Sequence, residues 1–386
     1  MKIQSYILLV ISSCFYFFTA CSSNPTPETD SPQEPEAPEH IVVNIPSADR
    51  PTDMALIYHG YKSRPAWTAA DLQPYIFREN NGKIEWLFDG FLFLEIYAEI
   101  NGTEYDYGIA NGNKIAPGKS EWENLLQKTF AEGKGPDGIE QTLDSLVQLG
   151  IQPPYKRQVM FCLPNPQIQC KNWGILNGRK LDFHKTADRL LAVKWYVERI
   201  LKEWETKDYH YIQLAGFYWL HEQIDTHSLE DGTIIEDAQL IKEVQAYLKS
   251  LGYPLIWIPY YGAAGVDRWK ELGFDIAYQQ PNYFFSLESP INIITGAIGI
   301  AKKYNMSLEM EFDDRVTDPA YGKRFYTYLE EFEKAGAWND FPIAYYEGGG
   351  AWLRMNKSYS PEMKKMVKAL GDILVQRNGK FSVIKK

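Results

Sequence analysis

Two stretches of this chain end apolar runs in carboxylates, and both are placed to do acid–base chemistry. The first is Leu214-Ala-Gly-Phe-Tyr-Trp-Leu-His-Glu222 and the second is Ser307-Leu-Glu-Met-Glu-Phe-Asp-Asp314. Apolar runs of this length read as strands buried on both faces. A carboxylate at the tip of such a strand is costly unless it is hydrogen-bonded or at work. A carboxyl that keeps its proton, beside one that has lost it, is the minimal equipment for cleaving a glycosidic linkage. The acid assists the leaving oxygen while the carboxylate attacks or directs water. In the second stretch, period-two alternation puts Leu308, Met310 and Phe312 on one face and Glu309, Glu311 and Asp313 on the other. The apolar set is expected to face helices and the acidic set a lumen. In the first stretch Tyr218, Leu220 and Glu222 share a parity, which places Glu222 at the rim on Tyr218's side.

Strands are needed to bring two such tips together. Apolar runs predict eight of them, at Met54–Gly60, Gly90–Ile96, Gln158–Leu163, Tyr211–Leu220, Leu255–Tyr260, Asp275–Gln280, Ser307–Phe312 and Phe341–Tyr346. Helical patterns separate them. Lys185–Trp204 spaces Leu190, Val193, Val197, Ile200, Leu201 and Trp204 on one face, and Glu236–Leu251 repeats the pattern before Gly252. Ser120-x-x-Glu123 reads as a capping box, and Ser289-Pro290, Asp318-Pro319 and Ser360-Pro361 each offer an N-cap followed by proline. Eight strands alternating with helices spell an α/β chain of the (β/α)8 TIM-barrel class over residues 51–386. An open doubly wound sheet is the competing arrangement. The largest insertion is expected at Gly102–Gly138, rich in Gly and Asn.

In such barrels chemistry gathers at the carboxyl ends of the strands. Those ends here supply carboxylates, amides and tyrosines, a lining suited to a neutral polyhydroxylated ligand. Glu95, Tyr218, His221, Gln280, Asn282, Glu309, Tyr345 and Glu347 are the candidate substrate-binding residues. Bland roles compete with each: Glu222 as a rim salt bridge, and Glu309 and Glu311 as structural lumen carboxylates. Either of those two could be the working one. Trp67, Trp173, Tyr261, Tyr283 and Trp352 fall in expected loops, as sugar platforms or as packing.

A carboxylate after the fourth strand and another closing the seventh resembles the large clan of retaining (β/α)8 glycosidases. That resemblance implies Glu222 as acid/base and Glu311 as nucleophile, although His221 stands where the clan carries Asn. Gly216-Phe-Tyr-Trp-Leu-His-Glu222, together with Gln280-Pro-Asn-Tyr283, also resembles a family of secreted bacterial proteins known only as a domain of unknown function. No activity comes with that second resemblance.

The remaining sequence bounds the class. Net charge is −10 and no Lys/Arg cluster interrupts it, which argues against a nucleic-acid partner. Aromatics make up 15% of the chain, with 26 Tyr, more than packing alone needs. Residues 1–20 read as a lipoprotein signal peptide, with Lys2, an apolar Tyr6–Phe18 core and Phe18-Thr19-Ala20-Cys21 at the cleavage point. Cys21 is the expected lipidation site. Residues 21–50 carry Pro25, Pro27, Pro32, Pro35, Pro38 and Pro46 among acidic and small polar residues, the composition of a disordered tether. The protein is therefore expected outside the cytoplasm, lipid-anchored to a bacterial membrane, the outer one by preference. Of the mature thiols, Cys162 and Cys170 are compatible with a disulfide or with two free cysteines. His221, Glu222, Asp225 and His227 lie close in sequence but match no established ligand spacing, so no metal and no cofactor is expected. The expectation is a glycoside hydrolase-like barrel acting on an oligo- or polysaccharide by a two-carboxylate mechanism. A non-catalytic glycan-binding surface lipoprotein on the same fold is the alternative.

Overall fold

The computed structural model describes residues 50–381. The expected signal peptide, Cys21 and the tether up to residue 49 lie outside the described residues. Among those described, no helix is long and apolar enough to cross a membrane.

Eight parallel strands close into a barrel: β1 Asp53–Tyr58, β2 Gly90–Leu94, β3 Arg157–Leu163, β4 Ile212–Trp219, β5 Leu255–Trp257, β6 Ile276–Gln279, β7 Ser307–Glu311 and β8 Ile343–Tyr346. Each pairs with its neighbours in chain order, and β8 returns to β1 through Asp53 opposite Ile343 and Ala55 opposite Tyr345. All eight expected strands are present, most of them shortened by one to three residues at an end, with β1 and β3 beginning one residue earlier, and the doubly wound sheet is excluded by the closure. The cause is legible in their composition. Strands such as Gly-Phe-Leu-Phe-Leu at β2 are fully buried, so both faces must be apolar. On β4 the pairing with β3 slips between Leu214 and Gly216, a bulge that resets the alternation before Tyr218. A side chain at position 216 would meet Pro254 Cγ at 3.0 Å, so glycine permits the close approach of β5 there.

Several local expectations need correction. Four antiparallel hairpins decorate the barrel, at 77–86, 97–106, 174–181 and 226–236. Three turn on Asn-Gly pairs, Asn81-Gly82, Asn101-Gly102 and Asn177-Gly178, each with both residues at left-handed φ. That pair is the strongest short-range hairpin signal. The Gly102–Gly138 insertion accordingly starts in a hairpin turn and then carries the helix Lys119–Thr129. This helix starts earlier than expected: Gly118 is its N-cap and the Glu121 carboxylate accepts from Gly118 N at 2.8 Å, so Ser120 and Glu123 form no capping box there. Ser289-Pro290 does not cap, since Ile291 precedes the helix Asn292–Tyr304. Asp318 does cap its helix, accepting from Ala320 N at 2.8 Å.

The amino-terminal end of the barrel is closed by a polar floor. Arg377, the last residue of the helix Pro361–Arg377, donates Nε to Asp53 at 2.9 Å and Nη2 to Phe341 O at 2.9 Å. Tyr345 Oη donates to the same Asp53 carboxylate at 2.7 Å. The floor is a stability feature, and it leaves the opposite end for chemistry.

Candidate active site

At the carboxyl ends of the strands a cavity of about 290 Å³ opens into the lumen. It is lined by Leu56, Tyr58, Ile96, Tyr218, Glu222, Tyr260, Gln280, Asn282, Phe285, Glu309 and Tyr346. Two carboxylates, two amides and four tyrosines face it, and the lining contains no Lys or Arg. Phe285 packs edge-on against Tyr346 at 5.3 Å, and Tyr346 likewise against Tyr58 at 5.6 Å. The aromatic wall is thereby fixed.

Glu222 follows β4 and is half-buried, with its carboxyl meeting the cavity. Burial pushes its pKa up from 4.5 to about 6, partly offset by a hydrogen bond from Gln280. Gln280, just past β6, also donates Nε2 to Ile258 O at 2.8 Å, so one amide ties Glu222 to the loop after β5. His221 Nε2 bonds Asp225 at 2.8 Å, and its carbonyl accepts from Trp257 Nε1 at 3.0 Å. These contacts fix the backbone on which Glu222 rides.

Glu309 sits inside β7 at 2% exposure and faces the same cavity. Its Oε2 has no hydrogen-bond partner among the described residues. Burial, then the like charges of Glu311 and Glu222, push its pKa well above the usual carboxylate range. These surroundings favour the protonated form of Glu309.

Glu311 ends the same strand in different company. Its Oε1 accepts from Asn282 N at 2.7 Å and its Oε2 from Tyr283 N at 3.1 Å, with Tyr328 Oη on Oε2 as well. It is fully buried and outside the cavity lining. Burial raises its pKa too, but these donors stabilise the ionised form and hold the rise back. Of the two linked carboxyls, Glu309 is the one that keeps a proton longer.

Of the other residues expected at the site, Tyr218, Gln280 and Asn282 line this cavity, and His221 lines the one adjoining it. Glu95, Tyr345 and Glu347 do not. Glu95 is saturated by Arg64, which donates Nε at 2.9 Å and Nη2 at 3.0 Å, and by Ile96 N at 2.9 Å. Tyr345 points to the floor. Glu347 accepts from Gly350 N at 2.6 Å and Trp352 N at 2.9 Å, fixing the Gly348-Gly349-Gly350 turn. Leu56, Tyr58, Ile96, Phe285 and Tyr346 belong to the lining and were not among the expected site residues. After Asp53 every side chain of β1 is apolar or aromatic, so alternation gives no contrast by which to prefer Tyr58 over His59. His59 is buried between Leu94 O, at 3.0 Å, and Thr129 Oγ1, at 2.5 Å, with burial lowering its pKa to about 4.

Trp67, Trp173, Tyr283 and Trp352 are each at most 3% exposed and serve as packing, whereas Tyr261 is exposed. Cys162 and Cys170 are free and buried. His221, Asp225 and Asp237 offer ligand atoms within 4.8 Å of one another. Asp237 is already paired with Arg189 at 2.7 Å and His227 at 3.3 Å, however, so a cation is supplied there by the protein itself.

Three solved structures illustrate what the chain resembles. An endo-1,4-β-D-mannanase from Thermotoga petrophila RKU-1 is 11% identical with a TM-score of 0.46, covering 83% of this chain and 99% of its own. A Group IV chitinase from Ostrinia furnacalis is 9% identical, with a TM-score of 0.43 over 83% and 99%. Tryptophan synthase from Pyrococcus furiosus is 11% identical, with a TM-score of 0.36 over 84% and 98%. Similarity at that level adds nothing to the strand order itself. No curated protein matches the sequence. Residues 53–371 match the family described as Domain of unknown function (DUF4855), and the chain belongs to that family.

Proposed function

We propose that the lumenal cavity is the catalytic site of a glycoside hydrolase, with Glu222 and Glu309 as its carboxylate pair. The observation that carries this reading is that both open onto one cavity while burial holds their pKa values up to different extents. Pairs of carboxyls driven apart in this way divide acid and base roles between them. Glu309, the carboxyl whose surroundings most favour the proton, is the general acid for the leaving oxygen. Glu222, ionised above about 6, attacks the anomeric carbon or directs water to it. Glu311 acts on Glu309 through charge and leaves the substrate alone. A lining of hydroxyls, amides and ring faces without a cation favours a neutral saccharide. The amino-terminal sequence supports an extracytoplasmic, lipid-anchored enzyme held through Cys21. Cys21→Ser would then move the protein from the membrane to the soluble fraction.

Turnover on a panel of neutral oligosaccharides and aryl glycosides tests the function, with anomeric NMR reading the stereochemistry. Glu222→Gln and Glu309→Gln should each lower kcat by roughly 10²- to 10⁴-fold. A 2,4-dinitrophenyl glycoside, whose leaving group needs no acid, should restore the Glu309 variant and not the Glu222 variant. The reverse pattern would exchange the two roles. Binding without turnover in the wild type across the whole panel would leave a glycan-binding protein and sink the enzymatic reading.

A further inference from the structure

The lumenal cavity has a neighbour. A second cavity, of about 310 Å³, lies beneath the excursion between β2 and β3, and the two share Tyr58, Ile96, Tyr218, Glu222 and Tyr260. Glu222 is thus common to both, while Glu309 belongs only to the first. The second cavity takes its own wall from Tyr97, Asp106, Gly108, Ile109 and Asn111, with Gln223 opposite.

That wall is anchored like part of the barrel. Asn165, past the end of β3, donates Nδ2 to Gly108 O at 2.8 Å, and its own N–H donates to Tyr107 O at 2.9 Å. Gln167 Oε1 accepts from Ala110 N at 2.6 Å. Tyr107 Oη reaches Glu121 O at 2.7 Å, in the helix Lys119–Thr129. Asp106 closes the turn by accepting from Gly108 N at 2.8 Å and Ile109 N at 2.9 Å. Ile109 is nevertheless 44% exposed beside this cavity, an apolar face held rigidly toward open space. A preorganised wall of this kind lowers the entropy cost of binding, and an apolar surface beside hydrogen-bonding groups suits the face of a sugar ring.

Resting on the proposed glycosidase reading, we infer that the substrate binds as at least two consecutive sugar units. One occupies the lumenal cavity, the next lies against Ile109 under the β2–β3 excursion, and the linkage between them lies where the cavities join, reached by Glu222 at the junction and by Glu309 from the lumenal side. The two cavities have like linings, again without Lys or Arg, so the second unit is a neutral sugar as well.

The test uses the full-length protein carrying Glu222→Gln and calorimetric titration with manno-, cello-, xylo- and chito-oligosaccharides of one to four units. Within a series that binds, affinity should rise at least tenfold from one unit to two. Gly108→Phe should cancel most of that rise, collapsing the ratio of disaccharide to monosaccharide affinity toward one. Position 108 accepts a side chain: an added Cβ comes no closer than 3.4 Å, to Asp106 Oδ1, and 3.9 Å to Ile96 Cγ2. Far-ultraviolet circular dichroism and Tm verify folding, and Ile109→Ala, which removes bulk without adding any, should lower the same ratio less. Equal affinity for one unit and two, or a ratio indifferent to both substitutions, overturns the two-unit inference and leaves the single-cavity glycosidase standing. If no saccharide binds and the wild type turns none over, the functional reading itself falls and takes this inference with it.

Discussion

The floor of this barrel and the cavity at its mouth both bury carboxylates, and they partner them differently. At the floor, Asp53 meets the Arg377 guanidinium and the Tyr345 hydroxyl, and Asp89 accepts from Thr52 N at 2.9 Å and Asp53 N at 2.7 Å. At the mouth, Glu309 faces a cavity with one oxygen unpartnered, two like charges nearby and no cation in the lining. Burying a charge without compensation costs several kcal/mol, so a chain that supplies a cation to Asp53 at the floor and to Glu95 at the mouth, but none to Glu309, is not short of means. The floor is built to stay closed. At the mouth, burial and like charges favour the protonated form of Glu309, and the residues there are expected to be a liability for stability.

The largest effect should separate activity from stability. Glu309→Gln is expected to lose at least 10²-fold in turnover while unfolding at equal or higher denaturant, because a neutral amide replaces a group whose charged form burial disfavours. A large loss of stability in this variant would show that the mouth is compensated after all. The next effect belongs to the floor. Arg377→Met leaves Asp53 buried without its cation and should cost about 3–5 kcal/mol in urea unfolding. Adding Asp53→Asn should recover most of that. A double variant no more stable than the single one would break the charge-compensation argument.

A smaller effect concerns pH. Carboxyls whose folded pKa is raised bind more protons in the folded state, so they penalise folding as pH rises from the unfolded value, near 4.5, through the folded one. Glu222 does this between 4.5 and about 6, and Glu309 extends the window upward. Stability should therefore fall as pH rises across that range, and Glu309→Gln should raise Tm at pH 8 but hardly at pH 5. Activity has its own signs. It rises as Glu222 ionises through about 6 and falls at higher pH as Glu309 loses its proton. A pH–rate profile whose acid limb lies near 4.5 would remove Glu222 from the role of base.

Much of this was readable from residue order, because strands buried on both faces have to be apolar throughout. That is how the eight strands, and Glu222, Gln280 and Asn282 at their tips, could be placed. Parity brought Glu309 and Glu311 to one side but could not divide them. What divides them lies on other elements, Asn282 N, Tyr283 N and Tyr328, and no local pattern carries it. Glu95 and Glu347 failed as site residues for the same reason: Arg64 and the Gly350 N–H complete them from a distance in sequence or through a turn. Tyr58 is hidden by uniformity, since the run from Met54 to Tyr58 offers no alternation of polar and apolar residues. The Asn-Gly hairpins were different, for their signal was local and complete.

The division between Glu309 and Glu311 yields the smallest effect and the sharpest question. Tyr328, on the helix Pro319–Lys334, donates its hydroxyl to Glu311 while packing edge-on against Tyr283 at 5.5 Å. Tyr328→Phe keeps that ring contact and removes one donor, which should cost about 1 kcal/mol of stability. With fewer donors, the Glu311 carboxylate is less stabilised and its pKa moves up. While Glu311 stays protonated, its charge no longer opposes ionisation of Glu309, whose proton should then leave at lower pH. The alkaline limb of the pH–rate profile should move to lower pH accordingly, with the limb set by Glu222 nearly still. Carboxyl ¹³C NMR titration follows the two groups directly. If both limbs stay in place while the Glu311 titration moves, the two carboxylates are not linked, and the proton on Glu309 is kept by burial alone.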